Sequence, residues 1–104
     1  MVLPVSVILC TFNRKNDVTE CLESILKQNY PQFDVWVVDD ASTDGTYEFL
    51  KKKFGSYKNF HIIRNDVEIG NTRSRNMVMR ESKGEIIVST DDDCIVHQNW
   101  IANL

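Results

Sequence analysis

Short apolar runs alternate along this chain with stretches of helical period, and together they set out a βαβαβαβ order. The first run, Val5-Ser6-Val7-Ile8-Leu9-Cys10, is too continuously apolar for a half-exposed strand and reads as a central strand covered on both faces. After a polar turn over 11–16, Asp17 is placed to cap a helix whose Val18, Cys21, Leu22, Ile25 and Leu26 follow an i, i+3, i+4, i+7, i+8 spacing. Val35-Trp36-Val37-Val38 is a second β-branched and aromatic run, and it stops abruptly at Asp39-Asp40. Ser42-Thr43-Asp44-Gly45-Thr46 is turn and capping chemistry leading into a helix with Tyr47, Phe49, Leu50 and Phe54, closed by Gly55. A third strand spans 60–64. A third helix over 71–83 turns Met77, Val78 and Met79 inward and stops at Gly84. The fourth strand, 85–90, runs into Asp91-Asp92-Asp93, and Gln98-Asn99-Trp100-Ile101 reads as the start of another helix.

This alternation predicts an α/β fold: a Rossmann-like parallel sheet with helices on both faces and right-handed crossovers. At 104 residues, with no internal repeat or linker, the chain is expected to form a single domain over 1–104. A hydrophobic share of 42% with four Gly and two Pro excludes disordered and low-complexity classes. The formal charge of -3 argues against a nucleic-acid surface built on phosphate neutralisation. The three cysteines, Cys10, Cys21 and Cys94, form no CxxC pair and imply thiols in a reducing compartment. With no basic n-region and no long apolar span at the N-terminus, the reading is a cytoplasmic protein without a transmembrane segment.

In an open parallel sheet the ligand crevice lies beyond the carboxyl ends of the strands, where neighbouring crossovers diverge. Three polar clusters are predicted there: Thr11-Phe12-Asn13-Arg14, Asp39-Asp40 and Asp91-Asp92-Asp93. Three adjacent carboxylates repel one another, and a divalent cation relieves that cost. In extended chain Asp91 and Asp93 point to one side with Cα atoms about 6.6 Å apart. Oxygen ligands of this kind suit Mg²⁺ or Mn²⁺, which complete their shells with water and phosphate oxygens. A lone acidic triplet is more often a solvated turn or a helix cap, and its place after a buried strand favours the metal reading. Asp40 is the choice for a hydrogen bond to a base N–H or a ribose hydroxyl, with a turn or cap as its alternative. Phe12 is either a stacking face or simply packed. Arg75, near the start of the third helix, favours an anion, whereas a solvated side chain is the strong alternative for Arg73.

The segments VSVILCTFNR, VVDDASTDGT, GNTRSRN and KGEIIVSTDDD, in this order and at these intervals, resemble the family 2 glycosyltransferases of GT-A fold over essentially the whole chain. That resemblance implies the N-terminal, nucleotide-sugar-binding half of an inverting enzyme, with the acceptor-binding half and the general base beyond Leu104. It implies donor-nucleotide roles for Thr11, Phe12, Arg14, Asp40, Arg75 and Asp92, with UDP favoured as the nucleotide. Asp91 and Asp93 form its DxD-like element and would hold Mg²⁺ or Mn²⁺ on the donor diphosphate. The acceptor it implies is a saccharide or a lipid-linked sugar. As a fragment, the chain is expected to catalyse little, and with strand 85–90 left as an edge it is expected to self-associate there.

Two other classes fit less well. A receiver-type phosphoacceptor module shares acidic strand ends, but it places its acidic pair after the first strand and needs a later strand bearing Lys. A dinucleotide-binding oxidoreductase requires a GxGxxG turn after the first strand, which this chain lacks. A catalytically inert interaction domain is a third alternative.

Overall fold

The structure is a computed structural model, and it describes residues 2–104. Seven elements follow the expected alternation: β1 (Val5–Thr11), α1 (Lys15–Leu26), β2 (Phe33–Asp39), α2 (Thr46–Phe54), β3 (Phe60–Arg64), α3 (Asn71–Glu81) and β4 (Ile86–Ser89). The four strands make one parallel sheet in the order β3-β2-β1-β4. β1 pairs with β2 over its whole length, from Val5 with Phe33 to Thr11 with Asp39. On its other side it pairs with β4 from Val5 with Ile86 to Ile8 with Ser89.

Period-two alternation along β1 divides the core into two layers. Val5, Val7 and Leu9 meet Val18, Cys21, Leu22 and Ile25 of α1 and Leu50 and Phe54 of α2 on one face. Ile8 meets Val38 of β2 and Val78 of α3 on the other. Ile8, Leu9, Leu22, Ile25 and Leu50 are fully buried, each worth about 1.5–3 kcal/mol against exposure. Because α1 and α2 cover one face and α3 the other, the crossovers part company between β1 and β4, which makes the carboxyl end of that strand pair the topological switch point.

Local details depart from the sequence pattern in four places. The first turn of α1 begins at Lys15, and its N–H is capped by Asp44 Oδ2 at 3.3 Å; Asp17 lies inside the turn and caps nothing. Met79 is 43% exposed, so the inward stripe of α3 is Val78 with Met77 at its margin. α3 ends at Glu81, and Gly84 serves instead as a close approach, its N–H donating to Ser6 Oγ at 2.9 Å. The segment 98–103 forms turns, not a helix. It is held by the buried amide of Gln28, which donates to the His97 carbonyl at 2.7 Å and accepts the Ile101 N–H at 2.9 Å, seating Ile101 in the core. The three cysteines are free thiols, with Cys21 buried and Cys10 and Cys94 half-buried.

Candidate functional site

The carboxyl ends of β1, β2 and β4 surround a groove of about 480 Å³. Thr11, Phe12, Arg14, Asp40 and all three of Asp91, Asp92 and Asp93 line it. A larger cavity of about 560 Å³ opens at the opposite, amino end of the sheet around Pro4, Phe33 and Lys83, away from every residue of the acidic clusters. Size therefore does not mark the site; the convergence of strand ends does.

The loops after β1 and β2 are stitched together before they offer anything to a ligand. Asn13, at φ 51°, accepts the Thr43 N–H on its side-chain oxygen at 2.8 Å, and its own N–H donates to Ser42 Oγ at 2.9 Å. The Ser42 hydroxyl in turn donates to Asp39, which is fully buried and also takes Arg64 Nη1 at 3.0 Å. Asp44 accepts the N–H and hydroxyl of Thr46 and the N–H of Lys15, so one carboxylate caps two helices. Phe12 stands out from this frame, 42% exposed in the groove and not packed into the core.

Asp40 is 2% exposed. Its Oδ1 accepts Asn65 Nδ2 and the Ile69 N–H, each at 2.9 Å, and its Oδ2 accepts the Gly70 N–H at 2.9 Å. Burial alone would push this carboxyl up, but those donors and the Ser74 hydroxyl outweigh it and hold it below the ordinary carboxylate value. In this structure Asp40 thus fixes the loop that leads into α3 while lining the groove.

The acidic triplet leaves β4 as a turn and divides by side chain. Asp92 is drawn inward, accepting the Thr11 hydroxyl at 2.9 Å with Arg14 Nη1 3.9 Å away. Burial raises its pKa, with Thr11 and Arg14 opposing and Asp93 adding to the rise. Asp91 and Asp93 face solvent, each beside an arginine: Asp91 with Arg75 at 3.2 Å and Asp93 with Arg14 at 3.5 Å. The mutual repulsion expected of the triplet is therefore answered in part by two guanidinium groups. Ligand atoms of Asp91, Asp93 and Cys94 lie within 4.8 Å of one another. Asp91 and Asp93 are the carboxylates that fit a divalent cation, since both are exposed and lie close together while Asp92 is engaged by Thr11.

Thus the predicted residues Thr11, Phe12, Arg14, Asp40, Asp91, Asp92 and Asp93 share one rim, and Arg75 joins it through Asp91. Arg73 is exposed and makes no ion pair among the described residues. Sequence reasoning missed Asn13, Ser42, Asn65 and Ser74 as the braces of the site. An Asn just beyond a strand, where left-handed backbone is common, was the available signal for Asn13.

An open parallel sheet with its acidic crevice at the switch point is a Rossmann-like α/β domain. The model of "Glycosyl transferase family 2" matches residues 6–104, and the chain belongs to that family. It is 35% identical over 99 residues to glycosyltransferase AglE of Haloferax volcanii, covering 93% of this chain and 33% of that protein. It is 31% identical to the poly(ribitol-phosphate) β-N-acetylglucosaminyltransferase TarS of Staphylococcus aureus, covering 92% of this chain and 17% of TarS. Among solved structures, a mannosyltransferase from Pyrobaculum calidifontis in complex with GDP-Man and Mn²⁺ superposes with a TM-score of 0.91 at 30% identity, over 99% of this chain and 31% of that one. TarS residues 1–349 with UDP-GlcNAc superpose with a TM-score of 0.86 at 29% identity, over 97% of this chain and 30% of that one. The chain thus spans a third or less of the length of these relatives. No helix among the described residues is long and apolar enough to cross a membrane.

Proposed function

We propose that this chain is the donor-binding portion of an inverting glycosyltransferase, taking the nucleoside diphosphate of a sugar donor with Mg²⁺ or Mn²⁺. The carrying observation is that Thr11, Asp40, Asp91 and Asp93, from three strand ends, meet in one groove. A divalent ion held by Asp91 and Asp93 would neutralise diphosphate charge as the sugar departs.

The chain's own residues account for the rest of donor capture. Phe12 offers an exposed ring to a base, and the rim beside Asp40 supplies polar partners for a base edge or ribose. Arg14, half exposed, and Arg75 stand beside the outer carboxylates, where each guanidinium is free to take a phosphate oxygen once a cation satisfies its aspartate. UDP is the favoured nucleotide. The acceptor is a saccharide or lipid-linked sugar, and its general base is assigned to no residue of 1–104.

Calorimetric titration of UDP and of GDP, each with and without Mn²⁺, tests the reading. Metal-dependent binding of UDP that disappears in Asp91→Asn/Asp93→Asn is the expected result. Absence of binding by either nucleotide, with Mn²⁺ present, would end it.

A further inference from the structure

Asp39 ends β2 fully buried, and among the described residues its one ion-pair partner is Arg64, the last residue of β3 and its register neighbour. Arg64 Nη1 donates to Asp39 Oδ2 at 3.0 Å while Nη2 donates to the Ser42 carbonyl at 3.2 Å, so one planar fork ties the strand end to the loop beyond it. The Tyr47 ring flanks that fork, its centroid 6.0 Å from the guanidinium carbon. Asp39 Oδ1 accepts the Ser42 N–H at 3.3 Å and also the Ser42 hydroxyl. The same hydroxyl oxygen accepts the Asn13 N–H at 2.9 Å, and Asn13 Oδ1 accepts the Thr43 N–H at 2.8 Å. Asn13 follows Phe12 directly in the short loop 12–14 between β1 and α1. The place of Ser42 and Thr43 therefore decides the place of Phe12, which lines the groove, while none of Arg64, Asp39, Ser42 and Asn13 does.

A buried carboxylate is costly unless a cation stays beside it. Removing the Arg64 charge leaves Asp39 without its partner, and the loop that carries Ser42 must open to water, which releases Asn13. The acidic turn is separate from that change. It leaves β4, at the opposite edge of the sheet from β3, and is tied to α1 by the Cys21 thiol on the Asp91 carbonyl at 3.5 Å and the Val96 N–H on Ser24 Oγ at 3.1 Å. We propose that Arg64 is a positioning residue for the nucleotide base: through Asp39, Ser42 and Asn13 it sets where the Phe12 ring stands, and so sets base affinity from the outer strand without touching the ligand. The inference rests on the reading of the groove as the donor site with Phe12 as its stacking face, and it adds a residue that lies outside the groove.

Titration of the full chain with UDP and with inorganic pyrophosphate, each with Mn²⁺ and read by calorimetry, separates base capture from phosphate capture. The parent is expected to bind UDP more tightly than pyrophosphate. Arg64→Met, which keeps an apolar stem and drops the charge, should lose about 5–150-fold in UDP affinity, the span of one base–aromatic stack, with pyrophosphate unchanged. Where that variant fails to fold, judged by circular dichroism, Asp39→Asn/Arg64→Met leaves no charge buried and carries the same expectation. Phe12→Ala should lose as much, and Arg64→Met/Phe12→Ala no more than either alone, because both act through one ring. Equal binding of the two ligands by the parent, a matching fall for pyrophosphate in Arg64→Met, or losses that add in the double variant overturns the proposal. If the parent binds neither UDP nor pyrophosphate with Mn²⁺, the donor-site reading itself fails; if it binds both and Arg64→Met leaves their ratio as it was, only the role of Arg64 is wrong.

Discussion

Asp40 Oδ2 accepts the backbone N–H of Gly70 at 2.9 Å, joining the end of β2 to the first turn of α3 across 30 residues. With the Ile69 N–H and Asn65 Nδ2 on Oδ1, the carboxylate is the point at which two crossovers are held at a fixed separation. Asp40→Ala strands three donors in a nearly closed site and should destabilise the chain by about 2–4 kcal/mol. Urea unfolding followed by circular dichroism checks this. A loss under 0.5 kcal/mol would mean that water replaces the carboxylate and that the loop needs no anchor (surface changes fall within about that range).

Acid should loosen the same rim. Asp40 and Asp44 both have folded-state pKa values lowered from 3.8 because hydrogen-bond donors outweigh the cost of burying them. A lowered carboxylate pKa contributes stability that is fully present above the unfolded value, and that is lost as pH falls through the folded one. Stability is therefore expected to hold at neutral pH and to fall below about pH 4. Asp44 is exposed, so solvent screening reduces its share and Asp40 carries more of the slope. Thermal midpoints measured from pH 6 to pH 2 on the parent and on Asp40→Asn test the assignment: the variant should start lower and show a shallower decline.

Gly84 is required by contact rather than by backbone twist. A Cβ there would sit 2.5 Å from the Ser6 nitrogen and 2.6 Å from Ser6 Oγ, on the strand at the centre of the sheet. Gly84→Ala must push β4 away from β1 or break the Gly84–Ser6 hydrogen bond, at a cost of about 1–3 kcal/mol. Hydrogen exchange should show protection lost at Ile86 and Thr90, whose N–H groups donate to Pro4 and Ile8. Unchanged protection would show that the strand end adapts freely.

Sheet and helices were legible because the burial pattern is strong: Val5, Val7, Leu9, Val35 and Val37 read as covered strands and lie at 0–2% exposure. The meeting of Thr11, Asp40 and the acidic triplet was legible too, since parallel strands put their carboxyl ends on one side. The braces were not. Asn13, Ser42 and Asn65 are ordinary turn residues whose partners lie 29, 30 or 25 residues away, and no local spacing encodes such contacts. The terminal segment misled for a related reason. Gln98-Asn99-Trp100-Ile101 has helical character, but it forms turns anchored to Gln28, which donates to the His97 carbonyl and accepts the Ile101 N–H from 69 and 73 residues away in sequence. Asp17 was misassigned as a cap because the actual cap, Asp44, comes from the next crossover.

Among the described residues, no strand pairs with the outer edge of β4. Ile86 and Thr90 donate to β1, so in this parallel ladder the N–H and C=O groups of Ile87 and Ser89 point away from the sheet. Ile86 and Ile87 are 37% and 39% exposed, and the strand IIVS carries no charge or proline to discourage pairing. A second copy of this chain can present the same two residues in the opposite sense, giving a two-fold pair centred at Val88. Sedimentation velocity over a concentration series should therefore show a monomer–dimer equilibrium. Ile87→Lys, which leaves the buried faces of β1 untouched, should return the chain to monomer with its melting temperature little changed. A monomer at every concentration in the parent chain would rule out pairing through this edge, and a dimer that survives Ile87→Lys would move the contact elsewhere.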